Sequence, residues 1–533
     1  VAVYVPESFT ADEADVLRRY FTNLDGPVFA LVNLPEVVKG ALFARYSRTH
    51  KSLRRLFLDE FVGDLDVSGD HSVDATIGLD RAEELYERVF FDYGDDSVAQ
   101  LGGVHLACEQ ASNLLTKILE WGRLMSYLEQ STRYISYDAR LGGRYRYYRD
   151  PAILASPLGT RYVGDLDRIF DAYSRCVDLV TDHVRANVGR GADDSEFVYR
   201  TATRAKALDA VRGILPAAAT SNVGIYGTGQ AFEALLLRMR SNPLPESREY
   251  ADLMLHELRK VIPSFLRRVD LPERGGRWSD YLAATRDDTA ALVTELFGST
   301  PVEPAAEVEL VDFDPDAEDK LLAAICYSHS TLPEHQLLER VRGLGIDERM
   351  SLIRAYVGDR ENRRHKPGRA FERVFYRFDV LSDYGAFRDM QRHRMLTIEW
   401  QRLTPNHGYT RPELVTEAGL ADDFDEAMHR SASLYDALQP DFPQQASYAV
   451  SMAYRMRYVM QFNAREAIHM LELRSSPQGH PSYRRVALEM HRLIAERAGH
   501  HAIAATMTHM TTEAPELERL ESERRAEARR GEV

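Results

Sequence analysis

Cysteine is nearly absent. The chain has three in 533 residues, Cys108, Cys176 and Cys326, far apart and with no CxxC pair. This excludes a disulfide framework and a thiolate-rich metal site and points to a reducing compartment. No apolar run reaches the ~18 residues of a membrane-spanning helix, and Val1-Ala-Val-Tyr-Val-Pro-Glu lacks a basic segment followed by an apolar stretch. The expectation is a cytoplasmic protein. Positive charge is also short: 67 Lys and Arg stand against 82 Asp and Glu, a net −15, which gives no overall field for holding a polyanion and weighs against a nucleic-acid binder. No HExxH occurs, and His500, His501 and His509 lack carboxylate-spaced partners, so no metal centre is expected. What remains is an ordinary globular composition, 44% hydrophobic and 28% charged, long enough for several domains or two large ones.

A weak internal repeat runs through it. Leu31 to Ser47 can be laid over Leu310 to Ser328 with insertions, sharing Lys39/Lys320 and Tyr46-Ser47/Tyr327-Ser328. Val104 to Cys108 corresponds to the region of Val374 to Phe378. Leu236-Leu-Arg-Met-Arg240-Ser-Asn-Pro243 matches Met470-Leu-Glu-Leu-Arg474-Ser-Ser-Pro477. The matches keep their order while their spacing shrinks, as two copies of one domain with unequal loops require. In each half an alternating stretch predicts a short strand, Val104–Cys108 and Val374–Phe378. Helical spacing follows, over Leu114–Met125 and Asp383–Met395. The Gly- and Pro-containing stretch between Pro272 and Pro304 reads as the boundary. The residues from Glu513 read as a solvated helical tail.

Three polar clusters could carry chemistry. Arg123-Leu-Met-Ser126-Tyr-Leu-Glu129-Gln-Ser131-Thr-Arg133-Tyr134 collects guanidinium groups, hydroxyls and a carboxylate suited to gripping a phosphate monoester while Glu129 accepts from a sugar hydroxyl or base. Taken alone, its plainer reading is a helix ending in a Ser/Thr-rich turn with surface ion pairs. Gln391-Arg392-His393-Arg394 could meet a large anion from several sides, or simply complement a helix C-terminus. Asn463-Ala-Arg465-Glu-Ala-Ile-His469-Met-Leu-Glu-Leu-Arg474 puts donors along one edge of a helix; its plain alternative is a solvent-facing amphipathic helix.

Taken together these residues resemble the flavin-dependent (alternative) thymidylate synthases, whose signature is Arg-His-Arg, two residues, Ser, two residues, Glu, one residue, Ser, one residue, Arg-Tyr. Arg123, Ser126, Glu129, Ser131, Arg133 and Tyr134 fall on it after an opening that is Trp121-Gly122 here. The second half keeps the opening as Arg392-His393-Arg394, has Thr397 for the Ser, and loses the rest. Tyr93-Gly-Asp-Asp-Ser97-Val98 resembles the family's Gly-His-x-Ser-Val segment with Asp95 for His; the second half keeps His365. Arg212-Gly-Ile-Leu-Pro216 supplies the family's Arg-x-x-Leu-Pro in the first half. Asn463, Arg465 and His469 supply its Asn-x-Arg-x-x-x-His in the second, and the closing Arg stands in both halves as Arg240 and Arg474.

The resemblance, over residues 28–260 and 306–495, implies an α+β fold of two tandem domains, each a sheet packed with helices. They are expected at 1–271, carrying the nucleotide-side motif, and 306–512, carrying the flavin-side motif, with a connector at 272–305 and a charged tail at 513–533. It implies an FAD enzyme that methylates dUMP to dTMP with methylenetetrahydrofolate and NADPH as co-substrates. Arg123, Ser126, Glu129, Ser131, Arg133 and Arg212 would bind the nucleotide. Arg392, His393, Arg394, Asn463, Arg465 and His469 would bind the flavin, and Arg474 or Arg240 would polarise a uracil carbonyl. The family's homotetramer implies a homodimer of the doubled chain, with working pockets where unlike halves meet. No copy has a complete signature, so modification of another pyrimidine nucleotide and a non-catalytic homologue that keeps flavin or nucleotide binding stay open.

Overall fold

The computed structural model describes residues 4–34, 36–46, 48–60, 102–192, 194–513, 517 and 519–531; the segment around Asp95 lies outside them. Two compact units are present, and neither is a continuous half of the chain. Unit 1 comprises residues 1–174, 214–302 and 429–451; unit 2 comprises 175–213, 303–428 and 452–533. Each takes a segment from the other half of the sequence.

Unit 1 is built on four antiparallel strands in the order β1-β2-β4-β3: Val28–Leu31, Gly103–Ser112, Thr220–Thr228 and Met125–Glu129 respectively. Alternate side chains feed two cores, as the two-residue period of a strand dictates. Val28, Ala30, Val104, Leu106, Val223 and Ile225 pack with Leu115, Leu119, Leu235 and Met254. Phe29, Leu31 and Ala107 pack on the other face with Leu17, Leu42, Leu53 and Phe57. The first N-terminal helices, α1 Ala11–Leu17, α2 Glu36–Tyr46 and α3 Leu53–Glu60, thus share one core. Helices α4 Asn113–Leu119, α5 Gly229–Ser241 and α6 Pro245–Leu258 supply the other. The inserted segment 429–451 is tied in by backbone bonds from Ala217 N to Val450 O, 2.8 Å, and from Ala218 N to Tyr448 O, 2.9 Å. The Tyr448 hydroxyl donates to the buried Glu246 carboxyl, 2.7 Å, which also accepts from Ser112 N at 2.8 Å. Burial raises that carboxyl to about 7.

Unit 2 repeats the plan. Strands β5 Val308–Phe313, β6 Phe375–Asp383, β7 Leu396–Trp400 and β8 Arg455–Asn463 pair antiparallel in the order β5-β6-β8-β7, the same order as in unit 1. β8 alternates strictly between buried and half-exposed residues. Its inward residues Met456, Tyr458, Met460 and Phe462 form the core with Ala467, Ile468 and Leu471 and with Val486 and Met490. These come from α9 Ala464–Ser475 and α10 Pro481–Glu496, while the short α8, Tyr384–Met390, follows β6. The inserted helix Glu196–Val211 meets the tail helix α11, Leu520–Gly531. Arg519 grips Asp209 through both carboxylate oxygens at 3.0 Å and Arg524 holds Asp194 at 2.6 Å. The tail is docked on one side, not solvated all round.

The four helices that start directly at the end of a strand, after β2, β4, β6 and β8, are closed the same way. Ser112, Thr228, Asp383 and Asn463 each accept from the backbone N–H three residues on, at 3.1, 3.3, 2.9 and 2.8 Å. This satisfies one of the amide groups a helix start leaves without an intrahelical partner. Several expectations are corrected here. The helix expected to run to Met125 stops at Leu119, because Trp121-Gly122 breaks it and Met125 opens β3. The helix expected across Asp383–Met395 stops at Met390, before Arg392-His393-Arg394, which form a turn into β7. The stretch 272–305 contains a 21-residue helix, α7 Arg277–Phe297, packed on α5. Among the described residues no helix is long and apolar enough to cross a membrane.

The junction caps generate a prediction. Asn463→Ala removes the Glu466 N–H acceptor and lowers the denaturation midpoint by an amount equivalent to about 1 kcal/mol, while Asn463→Asp retains it. Urea unfolding followed by far-ultraviolet circular dichroism measures both.

Candidate functional site

Arg392 of the second cluster, Arg474 of the third and Arg212 converge within unit 2 on one buried carboxylate. Asp389, near the end of α8, receives Arg212 Nη1 at 3.3 Å, pairs with Arg392, and lies 3.9 Å from Arg474 Nη1. Arg212 arrives from 177 residues away in sequence, on the first-half segment folded into this unit. It fits because residue 385 is glycine: a Cβ there would lie 3.3 Å from Arg212 Nη2. Arg212 is 3% exposed, and its Nη2 is buried without a hydrogen-bond partner. Unmatched donors of this kind are rare in a finished interior.

His393 is held from both sides. Arg474 Nε donates to its Nε2 at 3.0 Å, and its Nδ1 lies 2.8 Å from Glu466 Oε1. A guanidinium cannot accept, so Nε2 carries the lone pair and the proton sits on Nδ1, donating to the carboxylate. Burial, and then the Arg474, Arg392 and Lys366 cations, push the His393 pKa well below its ordinary value. His469, with its ring 5.6 Å from that of His393, is lowered to about 4, mainly by burial. Burial acts on Glu466 in the opposite direction and raises it. Both imidazoles are therefore neutral at pH 7. His393, Glu466 and His469 bring potential ligand atoms within 4.8 Å of one another. Yet both nitrogens of His393 are committed, and guanidinium and ammonium groups surround the set, so the field favours an anion over a metal cation.

The other sequence-selected residues are placed differently. Asn463 spends its side-chain oxygen capping α9, and Arg465 donates to Pro367 O at 2.8 Å and meets Glu372 at 3.4 Å. Arg394 is exposed in the turn before β7. In unit 1, Arg123, in the turn before β3, and Ser126, on it, are exposed. The Ser131 hydroxyl accepts from Arg133 N at 3.2 Å. Glu129 is buried, with Lys117 Nζ at 3.0 Å, and the same ammonium bonds Glu120. Arg240 pairs with Asp252. Counted from the caps Thr228 and Asn463, Arg240 comes one residue later in its helix than Arg474. That turns it by roughly 100°, so the two closing arginines do not occupy equivalent positions. Sequence reasoning passed over Asp389 and Glu466. The available signal was a carboxylate three residues before Arg392 and another three before His469, a spacing that puts each pair on one helical face.

Two outcomes follow. Asp389→Ala takes from the buried Arg212 its nearest carboxylate and costs about 3 kcal/mol, read as a lowered urea midpoint; Asp389→Asn costs less. Because the His469 pKa is depressed in the folded state, its contribution is present above the unfolded value near 6.5 and is lost as pH falls toward 4. The wild-type midpoint therefore drops between pH 6.5 and 4, and in His469→Gln that drop is shallower.

Comparison with known proteins places this arrangement. The family model described as thymidylate synthase complementing protein matches residues 46–264 and, again, 309–498. A UPF0159 protein of Chlamydia muridarum is 37% identical over 527 residues, 98% of this chain and 99% of its own. A UPF0159 protein of Chlamydia pneumoniae is 39% identical over 487 residues, 90% of this chain and 91% of its own. One of Thermoplasma acidophilum is 30% identical over 520 residues, 92% and 99% of the two chains. With two matched segments, two sheets of one strand order, and the motif arginines gathered around Asp389, the chain belongs to the flavin-dependent thymidylate synthase complementing family and carries its domain in tandem.

Proposed function

We propose that the chain is an FAD-dependent thymidylate synthase, which methylates C5 of dUMP with a one-carbon unit from methylenetetrahydrofolate and reducing equivalents from NADPH. The observation that carries this reading is the meeting, inside unit 2, of Arg212 from the nucleotide-side motif with Arg392, His393 and Arg474 from the flavin-side motifs.

The residues fit a flavin dinucleotide. Arg212, Arg392, Arg474, Lys366 and Arg363 act on this region against the carboxylates of Asp389 and Glu466, a surplus of positive charge suited to a pyrophosphate. The buried Arg212 Nη2 is a donor in want of an acceptor. Neutral His469 offers hydrogen bonding without repelling an electron-rich ring, and the turn Gln391–Met395 presents Arg392 and Arg394 on its exposed side.

Making C5 of a uracil nucleophilic by addition of a thiolate at C6 needs a reactive cysteine. Burial raises all three thiols, Cys176 to about 11 and Cys108 further, so no thiolate is available at neutral pH. A bound flavin supplies the reducing chemistry by which such a methylation is completed without that nucleophile. The chain's own part is positioning and electrostatics. Asp389 holds the arginines in place before a ligand arrives, so little reorganisation is left for the reaction. Arg474, steered by Asp389 and His393, is the candidate for polarising a uracil carbonyl, and Glu466 keeps His393 in one tautomer. Ser131 and Arg133 are the candidates for the nucleotide phosphate.

Release of tritium from C5-labelled dUMP in the presence of FAD, methylenetetrahydrofolate and NADPH tests the reading. Arg474→Ala is expected to lower kcat/KM on the order of 100-fold. Arg392→Ala loses bound flavin, read as loss of the yellow colour of the purified protein. Arg133→Ala keeps the flavin and raises KM for dUMP. A protein that takes up no FAD and releases no tritium would sink the proposal.

A further inference from the structure

Helix α7 lies outside both family-matched segments, which end at residue 264 and resume at 309. Its first turns rest on α5 through Ser279, whose hydroxyl donates to Leu237 O at 3.4 Å, and through Arg286, which bonds Ser241 O. From Asp287 to Ala306 every residue is exposed. This projecting part is not polar: it carries Ala290, Ala291, Leu292, Val293, Leu296 and Phe297, and Leu292, Leu296 and Phe297 are 54, 58 and 61% exposed. Trp278 and Tyr281, 55 and 63% exposed, continue the same surface toward the helix start. Isolated surface leucines are ordinary, but a contiguous apolar stripe along a projecting helix marks an interface.

The order of residues along that stripe selects the occupant. Trp278, Leu282, Thr285, Thr289, Leu292 and Leu296 follow each other at alternating steps of four and three, the seam of a coiled coil. The row is also symmetric about residue 287: Trp278 and Leu296 are equally distant from it, as are Leu282 and Leu292, and Thr285 and Thr289. An antiparallel copy of the helix therefore sets large side chain against large at both ends and Thr against Thr at the waist. A two-fold axis demands this of a surface that pairs with itself. Charge agrees. Arg277 and Glu295 lie on the flank facing away from α5, with no ion-pair partner among the described residues. In the antiparallel pair Arg277 of one copy falls beside Glu295 of the other, twice.

We infer that α7 is a dimerisation element, pairing antiparallel with α7 of a second copy of this chain across a two-fold axis near residue 287. At about 1.5 Å per residue the helix is roughly 31 Å long, and one helix pair of that length reaches only the lower end of stable interface areas, on the order of 1,200 Å². An interface of that size fits a dimer that dissociates on dilution better than an obligate one. The pairing does not depend on the reaction proposed above.

Sedimentation velocity over a dilution series tests it on the full chain. The wild type is expected to pass from dimer to monomer across the micromolar range, and Leu292→Asp with Leu296→Asp to be monomeric throughout with an unchanged circular dichroism spectrum. Arg277→Glu weakens the dimer at least 5-fold, and combining it with Glu295→Arg restores it. Register has its own readout: an equal mixture of Thr285→Cys chains and Thr289→Cys chains forms disulfide-linked dimers faster than either alone, with wild type as the background for the native cysteines. Two results would each overturn the inference: a monomer at every concentration, and a dimer indifferent to the paired Asp substitutions.

Discussion

One buried carboxylate organises the candidate site. Asp389 gathers Arg212, Arg392 and Arg474, and without it their guanidinium groups would have to part or draw in solvent. Buried ion pairs are a poor means of stabilising a fold, because removing the charges from water offsets most of the attraction. Their use here is geometric. Arg474 donates to Nε2 of His393 while its other end lies 3.9 Å from Asp389, and His393 presents a lone pair there because Glu466 takes the proton on Nδ1. Tautomer, arginine direction and local surplus of positive charge are thus set together.

The two sheets show what duplication preserves and what it releases. Strand order, antiparallel pairing and the four junction caps are the same in both units although the side chains around them have diverged. The caps keep their places because a helix beginning at a buried strand end cannot leave its first amides unsatisfied. The polar residues have no such constraint. In unit 1 the place of the Arg-His opening is taken by Trp121-Gly122, beside the buried Lys117, Glu120 and Glu129 cluster. In unit 2 the opening remains, and its partners are acidic groups, Asp389 and Glu466.

Much of this was legible in the sequence, and the failures have physical causes. Alternation located β2 and β6, the repeat announced two like domains, and the family motifs selected Arg212, Arg392, His393 and Arg474, which the structure brings into one unit. Helix ends were misjudged where an apolar residue such as Met125 fits a helical period yet belongs to the next strand, since periodicity cannot report where a chain turns. Arg240 looked equivalent to Arg474 because the sequence match runs from the Ser-Asn-Pro end, whereas orientation is counted from the cap. Asp389 and Glu466 were passed over because a carboxylate near a cation is common on any solvated helix, and only contacts over long sequence distances show that these two are buried.

The exchange of segments between the halves bears on how the chain is made. The strands of unit 1 all lie before residue 302, but the unit needs residues 429–451, including the Tyr448 hydroxyl that bonds Glu246, to be complete. A ribosome adding ~5–20 residues per second takes on the order of ten seconds to travel from residue 302 to residue 451. Throughout that interval the nascent first sheet has every strand but lacks a piece of its interior. The doubled polypeptide thus completes its first body only after β5, β6 and β7 of the second sheet have been made, so the unfinished interior of the first must stay shielded from its own second copy while that copy emerges.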